Sequence, residues 1–235
     1  LDPAILRQDA CYPLLGYIIG KIAEDKIPVI EGLPADTTAD QLKAVGAAAA
    51  SSGAVALFHA VGVTPEAPTL EEAFQGDAPE RVIDVHLSDL MEAQHALSLA
   101  TDGARLDAVV LGCPHFSFLE FQRLVRIIQD QQGQKAHPDV RFLVLTEQLA
   151  CSLLQRSGLL DTVTGFGAKI VLDTCAFHSP ILPSGMKVIM TNSGKHAYYA
   201  PGELGVQVAF GSMADCVRSA IKGIVVREET AWEEQ

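Results

Sequence analysis

The stretch Asp107-Ala-Val-Val-Leu-Gly-Cys113-Pro-His115 decides how this chain is read. A short apolar run of strand length ends abruptly at a glycine, a thiol and an imidazole. Two further stretches follow the same plan: Lys169-Ile-Val-Leu-Asp173-Thr-Cys175, and Lys187-Val-Ile-Met-Thr191-Asn-Ser193-Gly-Lys195-His196. In open α/β sheets, ligands bind just beyond the carboxyl ends of the strands. Three such ends carrying Cys, His, Ser and Lys predict the rim of one active site.

Outward from these runs the rhythm is regular. Helices are expected over 118–131, 147–156 (ending at Gly158) and 213–222, and strands over 140–146 and 206–210. Upstream, strands are expected over 27–32, 54–62 and 82–86, with helices over 38–50 and 87–100. Thr37 or Thr38 is the expected cap of the 38–50 helix, with Asp40 in its first turn. Residues 65–79 hold Pro65, Pro68 and Pro79 and read as a surface excursion with one short helix. From Leu1 to about Gly20 an apolar, helix-like segment is interrupted by Pro3, Pro13 and Gly16. Strands alternating with helices imply βαβ crossovers and mainly parallel sheets, an α/β fold. Two lobes are expected, about 1–105 and 106–226, followed by an acidic tail over 227–235.

The bulk numbers exclude several classes. At 235 residues, 49% of them apolar, the chain can bury a substantial core. A net charge of −12 with no Lys/Arg block argues against nucleic acid or an anionic membrane as partner. No apolar stretch is long enough to predict a membrane span. The five cysteines are widely spaced and odd in number, which suits a reducing compartment such as the cytoplasm. No Gly-x-Ser-x-Gly, HExxH, GxGxxG or P-loop pattern is present. The chain opens Leu-Asp-Pro rather than Met, as expected of a processed or excised piece.

Each polar cluster has two readings. Cys113, at a strand-to-helix handover with Pro114 expected in the first helical turn, gains thiolate character from a helix N-terminus, or is simply half-buried. Ser117 and Glu120, one turn on, face a ligand or merely cap a helix. Cys175 and His178 form a second site, but no spacing links Cys113 to Cys175 as a zinc signature does. Two such thiols with His115 or His178 make a corner for iron, or are unrelated. Asn192 is the only asparagine; the Ser193-Gly194 turn offers free amides and Lys195 a positive charge, a cradle for a carboxylate or phosphate, or an ordinary helix start. His59, His86 and His95 read as core or surface histidines, Cys151 and Cys216 as helix core, and Glu71-Glu72 and Glu228-Glu229 as solvated charge.

Taken together, Leu111-Gly-Cys-Pro-His115 with Ser117 and Glu120, Asp173-Thr-Cys175, and Asn192-Ser-Gly-Lys-His-Ala-Tyr-Tyr-Ala-Pro-Gly202 resemble the large catalytic domain of the aconitase X family. Phe210-Gly-Ser-Met-Ala-Asp-Cys-Val217 and the opening Cys11-Tyr-Pro-Leu-Leu-Gly16 extend the likeness over the whole chain. The resemblance implies an aconitase-like layered α/β fold and an iron-dependent hydro-lyase. It implies Cys113 and Cys175 as two of three thiolate ligands to iron or an iron–sulfur cluster, with the third cysteine and a small swivel-type domain or subunit outside this chain. It further implies Ser193 as base and Lys195 as carboxylate and enediolate partner, with His115 and His178 orienting ligands or aiding the leaving hydroxyl. Ser117, Glu120, Asn192, Gly194, His196 and Tyr198 would contact substrate. By this resemblance the chain is the C-terminal portion of a dehydratase of a small hydroxy acid, closest to the cis-3-hydroxy-L-proline dehydratases. A phosphomevalonate dehydratase large subunit and a non-catalytic carboxylate-binding module are the alternatives.

Overall fold

A computed structural model of the chain describes residues 1–227. It divides into two compact units, Leu1–His95 and Ala96 onward.

The first unit is built on two helices, α1 (Cys11–Ala23) and α2 (Ala39–Ser52), after a 3-10 turn over Ile5–Arg7. Pro13 does not interrupt α1, because it stands in the first turn, where backbone N–H groups have no helical partner. Gly16 and Gly20 lie where α2 comes closest: a Cβ on Gly16 would stand 2.3 Å from the Val45 carbonyl oxygen. Thr38 caps α2, and with Gln41 it closes a capping box.

The strands expected here shrink. Only β1 (Val29–Ile30) and β2 (His59–Ala60) pair, in parallel, at Val29↔His59 and Ile30↔Ala60. Residues 82–86 form no strand. Val82 is 76% exposed, and alternation without a neighbouring edge leaves backbone groups for water to satisfy. The excursion holds one short helix, α3 (Leu70–Phe74), and α4 (Leu87–Ala96) stops before the expected residue 100.

The second unit is a five-stranded parallel sheet. Its strands are β3 (Ala108–Phe116), β4 (Arg141–Thr146), β5 (Ala168–Leu172), β6 (Val188–Thr191) and β7 (Gln207–Phe210), in the spatial order β5-β4-β3-β6-β7. Helices α5 (Phe118–Asp130), α6 (Gln148–Arg156), α7 (Leu160–Phe166), α8 (Gly194–Leu204) and α9 (Met213–Lys222) connect or follow the strands. Val109, Val110 and Leu111 are fully buried, as a strand covered on both faces requires. Helix α7 has weak local signals, Thr162, Thr164 and Gly165 among them; burial of Val163 and Phe166 stabilises it. Asp107 pins β3 to β6 by accepting from the amides of Lys187 (2.7 Å) and Val188 (3.0 Å).

Of the tail expected over 227–235, only Arg227 lies among the described residues. Its guanidinium donates to Asp102 (2.8 Å) and to Ser98. Among the described residues no helix is long and apolar enough to cross a membrane.

Candidate functional site

The order of the second sheet places its topological reversal between β3 and β6: two strands lie outward on the β3 side and one on the β6 side. A crevice opens at such a point beyond the carboxyl ends of the strands. The ladder agrees, since β3 and β6 pair only at Ala108↔Ile189 and Val109↔Met190 before they part.

The end of β3 differs from the expected turn into a helix. The strand continues to Phe116, and between Leu111↔Val144 and Phe116↔Thr146 the four residues 112–115 lie opposite Leu145 alone. Gly112 makes this bulge possible, with φ +86° and a position where any Cβ would lie 2.0 Å from the Leu145 carbonyl oxygen. The Cys113–Pro114 peptide is cis. Pro114 is therefore in the bulge and not in a first helical turn. Helix α5 begins one step later, with Ser117 and Glu120 as a reciprocal capping box.

Cys113 accordingly lacks the helix N-terminus that would favour its thiolate. Burial pushes its thiol up to about 11; the Lys195 charge opposes the rise, Cys175 adds to it and hydrogen bonding from Ser193 opposes it. Cys175 and Lys195 therefore lie within electrostatic reach of Cys113, and Ser193 within hydrogen-bonding reach. Ser193 caps α8, accepting from the His196 amide at 3.0 Å, and its hydroxyl donates across the crevice to the Cys113 carbonyl. Half-buried Lys195 forms no ion pair among the described residues. Asn192 is half-buried and Gly194 buried, at the entry to α8.

Cys175 lies in the irregular connection after β5, which is tied down at several points. Asp173, at φ +51°, accepts from the first amide of α6, Gln148, at 3.2 Å, and so caps a helix whose own Glu147 does not. His115 Nε2 is 2.9 Å from the Thr174 carbonyl oxygen, so the ring donates this bond. Thr174 and Ser179 hydroxyls bond each other. His178 is exposed, and Tyr198 is 36% exposed on α8. His196 has no exposed surface: it stacks on Phe177 at 4.8 Å and 21°, neither ring nitrogen has a partner among the described residues, and burial pushes its pKa down to about 4. Phe177 and the capping role of Asp173 escape a reading of the sequence, because their partners come from other elements.

Residues 106–222 match the family model of the aconitase X third domain, and residues 2–95 that of the second domain. The chain belongs to the aconitase X family. It is 41% identical over 227 residues to the cis-3-hydroxy-L-proline dehydratase of Pseudomonas aeruginosa, covering 95% of this chain and 38% of that protein. The cis-3-hydroxy-L-proline dehydratase of Hypocrea jecorina is 38% identical, over 92% of this chain and 36% of its own. The phosphomevalonate dehydratase large subunit of Methanothermobacter thermautotrophicus is 37% identical, over 88% and 49%. The chain therefore spans less than half the length of these relatives. A crystal structure of holo-form aconitase X from Thermococcus kodakaraensis superimposes with a TM-score of 0.78 at 27% identity, covering 91% of this chain and 52% of that one. The aconitase X fold is thus shared across the chain.

Proposed function

We propose that this chain is the C-terminal portion of an iron-dependent aconitase X-type hydro-lyase that removes water from a small hydroxy carboxylate, with cis-3-hydroxy-L-proline as substrate. The observation that carries the reading is that Cys113, beside the topological reversal of the sheet, feels the charges of Cys175 and Lys195 and has its carbonyl bonded by the Ser193 hydroxyl. The identities to the two hydroxyproline dehydratases favour that substrate.

In the elimination, the proton α to the carboxylate and the β hydroxyl leave, and a carbon–carbon double bond and water form. Lys195, with the open amides at the start of α8, holds the carboxylate and stabilises the enediolate-like charge. Ser193 first releases its hydroxyl proton to solvent; the alkoxide, favoured by the helix N-terminus, the His196 amide and Lys195, then takes the α proton and is a hydroxyl again. To do so it exchanges its bond to the Cys113 carbonyl for the substrate. His178, exposed on the Cys175 loop, protonates the departing hydroxyl, while His115 orients that loop. Asn192, just before the Ser193 cap, and Gly194 and Tyr198 within α8 contact the substrate, and Ser117 and Glu120 keep the adjoining helix in place.

Two thiols suit iron or an iron–sulfur centre in kind, and among the described residues no group of three His, Cys, Asp or Glu side chains forms a metal cage. As the family likeness implies, Cys113 and Cys175 would supply two ligands, the third cysteine coming from outside this chain. Such a centre, when bound, supplies a Lewis acid for the departing hydroxyl. The partners proposed are the hydroxy acid and a small swivel-type domain or subunit, in keeping with the large-subunit names of the archaeal relatives. Five free thiols fit the cytoplasm.

The test is anaerobic reconstitution with ferrous iron and sulfide, on this chain and on the longer polypeptide, followed by metal analysis and a dehydration assay on both substrates. Iron uptake by the longer protein that is lost in Cys113→Ala and in Cys175→Ala, with turnover of cis-3-hydroxy-L-proline, is the expected result. A longer protein that takes up no iron and binds the hydroxy acid unchanged would overturn the hydro-lyase reading in favour of a binding module.

A further inference from the structure

The segment that carries Cys175 has no regular secondary structure, yet a thiol that must meet Cys113 needs a fixed position. Fixing it is a matter of what holds residues 173–179 against the rest of the unit. Backbone bonds anchor only the first part: Asp173 N–H to the Thr146 carbonyl (2.9 Å) and, through a side chain, the Thr174 carbonyl to His115. Beyond Cys175 the anchor is aromatic. Phe177 lies face to face with His196, the planes 21° apart, and meets Tyr199 edge-on at 6.1 Å.

His196 is an unusual side chain to find there. It has no exposed surface, and among the described residues neither ring nitrogen meets a donor or acceptor. Burying two unsatisfied nitrogens costs stability that a phenylalanine or leucine would not, so such a group calls for an explanation. An imidazole whose edge has no partner acts through its face, and that face is against Phe177. The backbone of the same residue donates to Ser193 Oγ at 3.0 Å. One residue on α8 thus touches the Ser193 side of the crevice through its amide and the Cys175 side through its ring.

We infer that His196 is a positioning residue: its stack with Phe177, together with the His115–Thr174 bond, holds the Cys175 loop so that the Cys175 thiol faces Cys113. The inference rests on the reading of those two thiols as a ligand pair.

The experiment measures thiol pairing directly, in metal-free chain under reducing, anaerobic conditions. Dibromobimane becomes fluorescent on bridging two nearby thiols, and peptide mapping locates the bridge. Wild type is expected to bridge Cys113 to Cys175. His196→Ala and Phe177→Leu should slow bridging roughly threefold to tenfold, the range one aromatic stack can hold. Single-thiol alkylation of Cys175 should not slow in either. His196→Phe keeps the ring face and loses the nitrogens, and it should bridge at the wild-type rate; a general loss of folding in His196→Ala would instead change single-thiol alkylation of Cys175 along with bridging. Bridging undiminished in both His196→Ala and Phe177→Leu overturns the clamp and leaves the ligand pair standing. Wild-type chain that bridges other thiols, or none, overturns the ligand pair and the clamp with it.

Discussion

The hydroxyl of Ser193 donates to the main-chain carbonyl of Cys113, across the point where β3 and β6 cease to pair. The same oxygen accepts from the His196 amide at 3.0 Å and caps α8. One hydroxyl therefore ties a bulged strand end to a helix start, and the proposed base is also a structural joint. The two roles separate experimentally.

Replacing Ser193 with Ala removes the cap and should lower stability by about 1 kcal/mol. Ser193→Asn restores a capping oxygen and should recover most of that loss in denaturant titration. Turnover of the longer enzyme should fall roughly 10²–10⁴-fold in both variants. Activity that returns with the cap would show that Ser193 serves only the joint.

The thiol of Cys113 is expected to alkylate slowly at neutral pH. Burial pushes it to about 11, so its thiolate fraction should rise about tenfold per pH unit until that midpoint is approached. Lys195 opposes the rise, so Lys195→Met should move the midpoint upward. Iodoacetamide labelling followed by peptide mass spectrometry reads both. In the longer enzyme the same variant should raise KM for the hydroxy acid more than a general loss of folding explains, with Lys195→Arg recovering part of it.

His196 sets an acid limit. Its folded pKa, about 4, lies below the ordinary 6.5, so the unfolded chain takes the proton first. The stability held by the neutral ring is complete above pH 6.5 and is lost progressively as pH falls through 4. The full loss is on the order of 3 kcal/mol. Thermal unfolding between pH 7 and 4 should show this drop, and His196→Phe should shrink it.

Gly112 admits no side chain. Its φ of +86° opposes Gly112→Ala, and so does the Leu145 carbonyl oxygen, which would stand 2.0 Å from the new Cβ. A loss of about 3 kcal/mol or more is expected, because the clash is with backbone that cannot rotate away. Urea unfolding measures it; a loss under about 1 kcal/mol would mean that the bulge can re-form elsewhere.

Interactions within a few residues were legible in the sequence. The strand and helix rhythm from Asp107 to Lys222 and the cap at Thr38 follow from local periodicity and hydrogen bonding. Ser117 with Glu120 and the Ser193 turn were legible too, though not which of two readings each would take. The motifs around Cys113, Cys175 and Ser193 carried the family resemblance. Tertiary structure alone decided what depends on distant partners. Residues 82–86 have the alternation of a strand but no neighbour to pair with, and 160–166 have poor propensity but bury Val163 and Phe166. Strand order put the ends of β3 and β6 side by side, and the bulge at Gly112 moved Cys113 away from any helix N-terminus, so burial and not a dipole governs its thiol. The burial of His196 against Phe177 is likewise a long-range event: a stack forms only when the fold delivers both rings, and no local pattern in either segment encodes the other.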